Sequence, residues 1–201
     1  MSELRPIDIE DFWIRVYLNP KEDLFSACAD RAYRDLNRTL RGLRAEQTKT
    51  KYIELRRRLM DLSNLLLVTG FNCQDSFDDV HKNACQKLIR AFNREYKFTK
   101  MTIGQAQKWI NMYLKYLFAL GEQRILGISK NSRYFHVPVD GVIQMEFEKD
   151  AQISPLSMPW SKIDEYDTYL SYQKRIRQYY INQIPLEVEL KLFNRASSDK
   201  S

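Results

Sequence analysis

The chain has 201 residues, of which 44% are hydrophobic and 29% charged, with a net charge of +6; this suits one globular domain, or two lobes sharing a cleft, and excludes a disordered or fibrous chain. No stretch approaches the ~18 uninterrupted apolar residues of a membrane span, and the acidic start MSELRPIDIEDFW lacks the apolar segment of a secretory leader, so a cytoplasmic chain without membrane contact is expected. Cys28, Cys73 and Cys85 show no C-x-x-C spacing and only His81 and His136 add imidazoles, which argues against a disulfide framework, an iron–sulfur cluster or a zinc centre and leaves no metal or cofactor expected.

Helix signals dominate in chain order. From Asp23 to Arg44, Tyr33, Leu36, Leu40 and Leu43 repeat at helical spacing, while Arg31, Arg34, Arg38 and Arg41 line another face as an arginine edge. A second helix is expected from about Thr48 to Val68, with Gly70 as its stop. Residues 31–60 hold ten Lys or Arg against three acids, a concentration of positive charge that suits a polyanion, although it also suits a solvated surface. Asp75 or Ser76 can cap a third helix running through Val80, Ala84, Leu88, Ile89 and Phe92.

Thr102 opens a fourth helix that ends at Gly121 and contains GQAQKWINMYLK. At about 100° per residue, Gly104, Lys108, Asn111, Met112 and Lys115 share one face, and Trp109, Ile110, Tyr113, Leu114 and Leu117 crowd the other. The simplest reading turns both lysines to water. No acid occurs between Tyr96 and Gly121. Residues 122–137 read as an irregular connection, Pro138 and Asp140 precede a short helix from Gly141 to Lys149, and Ser161 begins a helix rich in tyrosine and arginine. Pro185 restarts a last amphipathic helix to Arg195, followed by a polar tail, residues 196–201, expected to be disordered. The class is all-α, with eight or so helices.

Asp140, in HVPVDG, sits where an N-cap belongs, and backbone amides there keep a carboxylate ionised. Most such aspartates only cap a helix. A lysine on the polar face of an apolar-backed helix, followed by Pro-x-Asp at the head of another, resembles the helix-hairpin-helix DNA glycosylase superfamily. The 32-residue interval from Lys108 to Asp140, and the pattern Gln107-Lys108…Lys115, are similar to its archaeal 8-oxoguanine DNA glycosylase branch. IPLEVELKLF, residues 184–193, resembles the closing segment of that branch, with Glu189 and Phe193 at positions more usually Asp and Trp. The resemblance covers about residues 100–195.

It implies a two-lobed helix-hairpin-helix fold with a cleft, formed by a single domain over residues 1–195. It also implies excision of a flipped-out damaged purine, 8-oxoguanine first among them, by Lys108 as nucleophile with Asp140 assisting, and an AP lyase activity through the Schiff base. Lys115, Met112, Glu189 and Phe193 would hold the base. Gly104 could admit a phosphate at its helix N-terminus, and Arg31, Arg34, Arg38 and Arg41 could grip the DNA backbone. The implied partner is double-stranded DNA carrying a damaged or modified base, met by a monomer. The alternatives are the same fold acting on another modified base, or a non-catalytic all-α DNA-binding module.

The chemistry agrees with these residue types. Breaking an N-glycosidic bond places positive charge on the sugar, which a fixed carboxylate stabilises, and an amine must be neutral to attack although a free lysine titrates near ~10.4. The tyrosines Tyr166, Tyr169, Tyr172 and Tyr179, and Trp160, are read as core before stacking surfaces, and His136 as a structural hydrogen-bonding residue.

Overall fold

A computed structural model describes residues 5–40, 50–97 and 100–198. Among them the regular structure is entirely helical: α1 (Pro6–Leu18), α2 (Leu24–Leu36), α3 (Thr50–Val68), α4 (Gln74–Glu95), α5 (Ile103–Leu120), α6 (Gly141–Ala151), α7 (Tyr166–Tyr179) and α8 (Pro185–Ser198), with short 3₁₀ turns between several of them. None of these helices is long and apolar enough to cross a membrane.

Helix α5 is the axis of the fold. Thr102 and Gln105 close a reciprocal capping box at its start, which satisfies two otherwise orphaned donors. Packed by α2, α3, α4, α7 and the 160–162 turn, it is buried on nearly every side, polar residues included. The amphipathic wheel therefore describes its chemistry but not its exposure: Lys108 and Lys115 are buried, each 6% exposed or less. Trp109 fills the centre, its indole N–H donating to the Ala29 carbonyl at 3.2 Å, with the rings of Tyr33 and Tyr52 against it.

Several expected boundaries move, each for a local reason. The helix expected to reach Arg44 stops at Leu36 and passes into a 3₁₀ turn, Asn37–Thr39; Gln105 seizes that turn by donating to the Thr39 carbonyl and hydroxyl. Arg41 lies outside the described residues. Helix α4 starts at Gln74 with Cys73 as N-cap rather than Asp75 or Ser76, because the Ser76 hydroxyl turns back to the Cys73 carbonyl. Ser161 opens no helix: residues 160–162 form a tight turn under the head of α5, and α7 begins only at Tyr166. Helix α8 continues to Ser198, so the first three residues of the expected tail are helical. Helix α1, for which no sequence expectation stood, begins with Pro6 and a box between Arg5 and Asp8.

Candidate functional site

Asp140 is the N-cap of α6, its Oδ1 accepting from the Ile143 amide at 2.9 Å. Its Oδ2 accepts from Lys108 Nζ at 2.6 Å, across the 32 residues noted in the sequence. Two glutamines hold the irregular segment that carries it. Gln173 pairs with both backbone groups of Val137, accepting from N–H at 3.1 Å and donating to C=O at 2.7 Å. Gln107 does the same at Val139, at 3.4 and 3.1 Å. The residue before Lys108 thus clamps the residue before Asp140, as a strand edge would in a sheet. Arg177 adds three bonds to the carbonyls of Arg133, Tyr134 and Phe135. Gln107 enters the sequence reading only as part of a pattern, and Gln173 and Arg177 not at all. Their partners lie more than 30 residues away, so no local signal marks them.

Two turns along α5, Lys115 Nζ donates to Glu189 Oε1 of α8 at 2.7 Å and lies 4.7 Å from the centroid of the Phe193 ring, within cation–π range. Glu189 is 3% exposed, and its Oε2 has no hydrogen-bond partner among the described residues. These groups open on a cavity of about 590 Å³ bounded by α1, α2, α5, α6 and α8, within the ~300–1,000 Å³ typical of small-molecule sites. All six residues expected to act on the nucleotide, Lys108, Asp140, Lys115, Met112, Glu189 and Phe193, line it. So do Arg31, Arg34 and Arg38, the last from the 3₁₀ turn beyond α2.

Gly104 does not join them. Its amide donates to the Ile163 carbonyl at 2.9 Å, and a Cβ built on it would stand 1.8 Å from the Trp160 carbonyl oxygen. The glycine serves the packing of the 160–163 turn against α5 and leaves no amide for a phosphate. Tyr166, Tyr169 and Tyr172 are buried in the core whereas Tyr179, expected there too, is exposed at the end of α7, and His136 is fully buried between Asp78 and the Tyr169 hydroxyl, both at 2.8 Å. Sequence reasoning missed the wall that α1 supplies through Trp13, Ile14, Tyr17 and Leu18. The signal for it exists in the i, i+4 pair Trp13 and Tyr17.

The electrostatics pull the two carboxyls apart. Burial pushes Asp140 up, but the Lys108 charge, the Ile143 amide, the Lys108 hydrogen bond and the more distant Lys115 outweigh it and hold the group below the usual carboxylate range. Burial also acts on Glu189, there exceeding the pull of Lys115 and Lys108, and with the negative charge of Asp140 it raises that carboxyl. One acid is fixed as a carboxylate; the other takes a proton more readily. An amine and an ionised carboxylate in contact at a cavity wall can support nucleophilic attack on a carbon that becomes positive. Among the described residues no cluster of His, Cys, Asp and Glu is arranged to hold a metal ion. No family model, curated protein or solved structure matches the chain.

Proposed function

We propose that the chain is a bifunctional DNA glycosylase and AP lyase of the helix-hairpin-helix type, two-lobed around this cavity, acting as a monomer on duplex DNA and excising a flipped-out purine, 8-oxoguanine in the first instance. The observation that carries the reading is the 2.6 Å contact between Lys108 and Asp140 inside a cavity that also gathers Met112, Lys115, Glu189 and Phe193. The resemblance names those six residues, and they come from two helices, α5 and α8, and the N-cap of a third, α6. A chance solvated lysine would not be buried against the carboxylate that the resemblance assigns to assist it.

In this reading the extruded base lies between α5 and α8. Its ring faces Phe193, and the unpartnered Glu189 oxygen accepts from a ring N–H beside the Lys115 donor. Asp140 stabilises the positive sugar as the glycosidic bond to the base nitrogen breaks. Lys108, its proton passing to the departing base nitrogen, forms the bond to C1′ as the glycosidic bond breaks, and ring opening gives the imine from which β-elimination cuts the strand. Arg31, Arg34 and Arg38 stand at the rim where phosphates pass.

Borohydride trapping on a duplex containing 8-oxoguanine tests this. The wild-type protein is expected to give a covalent adduct and Lys108→Gln none. Asp140→Asn keeps a good helix cap and is expected to bind DNA while excising roughly 10²–10³-fold more slowly. Absence of any adduct and strand cleavage with the wild type, or an adduct persisting in Lys108→Gln, would sink the assignment. Because Glu189 and Phe193 replace the family's more usual Asp and Trp, a panel of oxidised and alkylated lesions decides which base is preferred.

A further inference from the structure

Helix α1 is amphipathic in the unusual sense: its apolar stripe faces outward. Ile9, Phe12, Trp13, Val16 and Tyr17, at i, i+3, i+4, i+7 and i+8, are all exposed, Trp13 by 60% and Phe12 by 57%, whereas a surface helix ordinarily turns such a stripe to the core. The helix is nonetheless firmly seated. Arg124 pairs with Glu10 at 3.0 Å and Asp11 at 2.9 Å, the Arg31 guanidinium lies 4.3 Å from the centroid of the Tyr17 ring, and Leu18 is buried.

Resting on the glycosylase reading, we propose that this stripe is a stacking platform for nucleobases left unpaired where the duplex opens around the extruded nucleotide. Three observations select that occupant. First, the stripe runs into the cavity: Trp13 and Tyr17 line it together with Phe193 and Asn194 of α8 and with Lys108, so a strand delivering one base to Lys108 has α1 beside it for its neighbours. Second, the charges suit a phosphate chain. Arg31, Arg34 and Arg38 border the same cavity, and each acid of α1 is paired, Asp8 with Arg5 and both Glu10 and Asp11 with Arg124. Third, from Ile9 to Tyr17 the stripe covers only about 12 Å of helix rise. Its three exposed aromatic rings, Phe12, Trp13 and Tyr17, match over that distance the one-base-per-ring logic of single-strand binding.

The test uses an unmodified single-stranded oligodeoxynucleotide, so it needs no base excision and its outcome is separable from that of the lysine chemistry. Of the three tryptophans Trp13 is exposed, Trp160 is half-buried and Trp109 is fully buried. Titration is expected to quench tryptophan emission and to raise the emission polarisation of a fluorescein-labelled strand. Trp13→Ala is expected to lose the quench and about tenfold in affinity, Phe12→Ala less, and Trp13→Phe to keep most of the affinity; these sites being exposed, circular dichroism should be unchanged. Wild-type affinity in Trp13→Ala, or no quench in the wild type, overturns the platform even if excision proceeds. So does a wild-type dimer in sedimentation that Trp13→Ala dissociates while leaving strand binding intact, since the stripe would then serve a second copy of the chain.

Discussion

On the inward side of α5, Asn111 donates to Gln107 at 3.0 Å and the Tyr169 hydroxyl at 2.8 Å, and its carbonyl meets His81 at 2.9 Å. Tyr169 leads on to His136 and Asp78. None of these side chains contains a buried atom without a partner. On the cavity side of the same helix stand two lysines and two carboxylates, paired crosswise, with one Glu189 oxygen left over. Both clusters are buried and both join α5 to other helices, yet one is closed upon itself and the other is not. A satisfied buried network is explained by the fold it holds together. An incomplete one beside a cavity keeps an acceptor for a molecule that enters it.

Separate substitutions discriminate the two. The largest loss of stability is expected from Lys115→Met, which strands Glu189 as a buried unpaired acid and costs about 3–5 kcal/mol in urea unfolding. Changing both members, Lys115→Met with Glu189→Met, should recover all but about 1 kcal/mol, because apolar replacements of a buried pair are close to neutral. A double variant as unstable as the single one would mean that the pair holds the fold. Asn111→Leu should cost about 2–4 kcal/mol by leaving its three partners short, seen as a midpoint lower by roughly 5–15 °C, and a loss below 1 kcal/mol would contradict the closed network.

Gly104→Ala comes next, at about 1–3 kcal/mol, as the 160–163 turn is displaced; unchanged stability with weaker, less salt-dependent DNA binding would restore a phosphate role for that glycine. The last effect is with pH. Burial, and for His81 also its neighbour His136, holds both imidazoles below their ordinary value of 6.5, against the opposing pull of Asp78 on His136. The stability that depends on their neutrality is complete above about pH 6.5. It is lost as pH falls towards the folded values, because the unfolded chain takes up protons that the folded one refuses, at about 1 kcal/mol per pH unit for each imidazole. Melting from pH 7 to 5 should show this, with a shallower slope in His81→Gln; equal slopes would exclude His81 as its source.

Much of the cavity cluster was legible because its members carry local signatures. Thr102 with Gln105 marks a helix start, Pro138 with Asp140 marks another, and Pro185 a third; lysines seven residues apart lie near one another on any helix wheel. The burial of that wheel's polar face was not legible, since it depends on what surrounds α5. The same holds for Gln107 with Val139 and Gln173 with Val137, pairings made only by tertiary approach. The false start at Ser161 shows the converse. Its residues have helical composition, but their backbone is held as a turn by the head of α5, and Gly104 is the residue whose missing side chain allows it.

Asp140 divides its two oxygens between different masters, the Ile143 amide and the Lys108 amine. A carboxylate tethered by one oxygen to a helix end is a rotor with its pivot locked. If the amine turns away to form a bond of its own, the second oxygen stays aimed into the cavity instead of swinging after it. The negative charge is then already in place for whatever positive centre arises there, with no side-chain ordering left to accomplish.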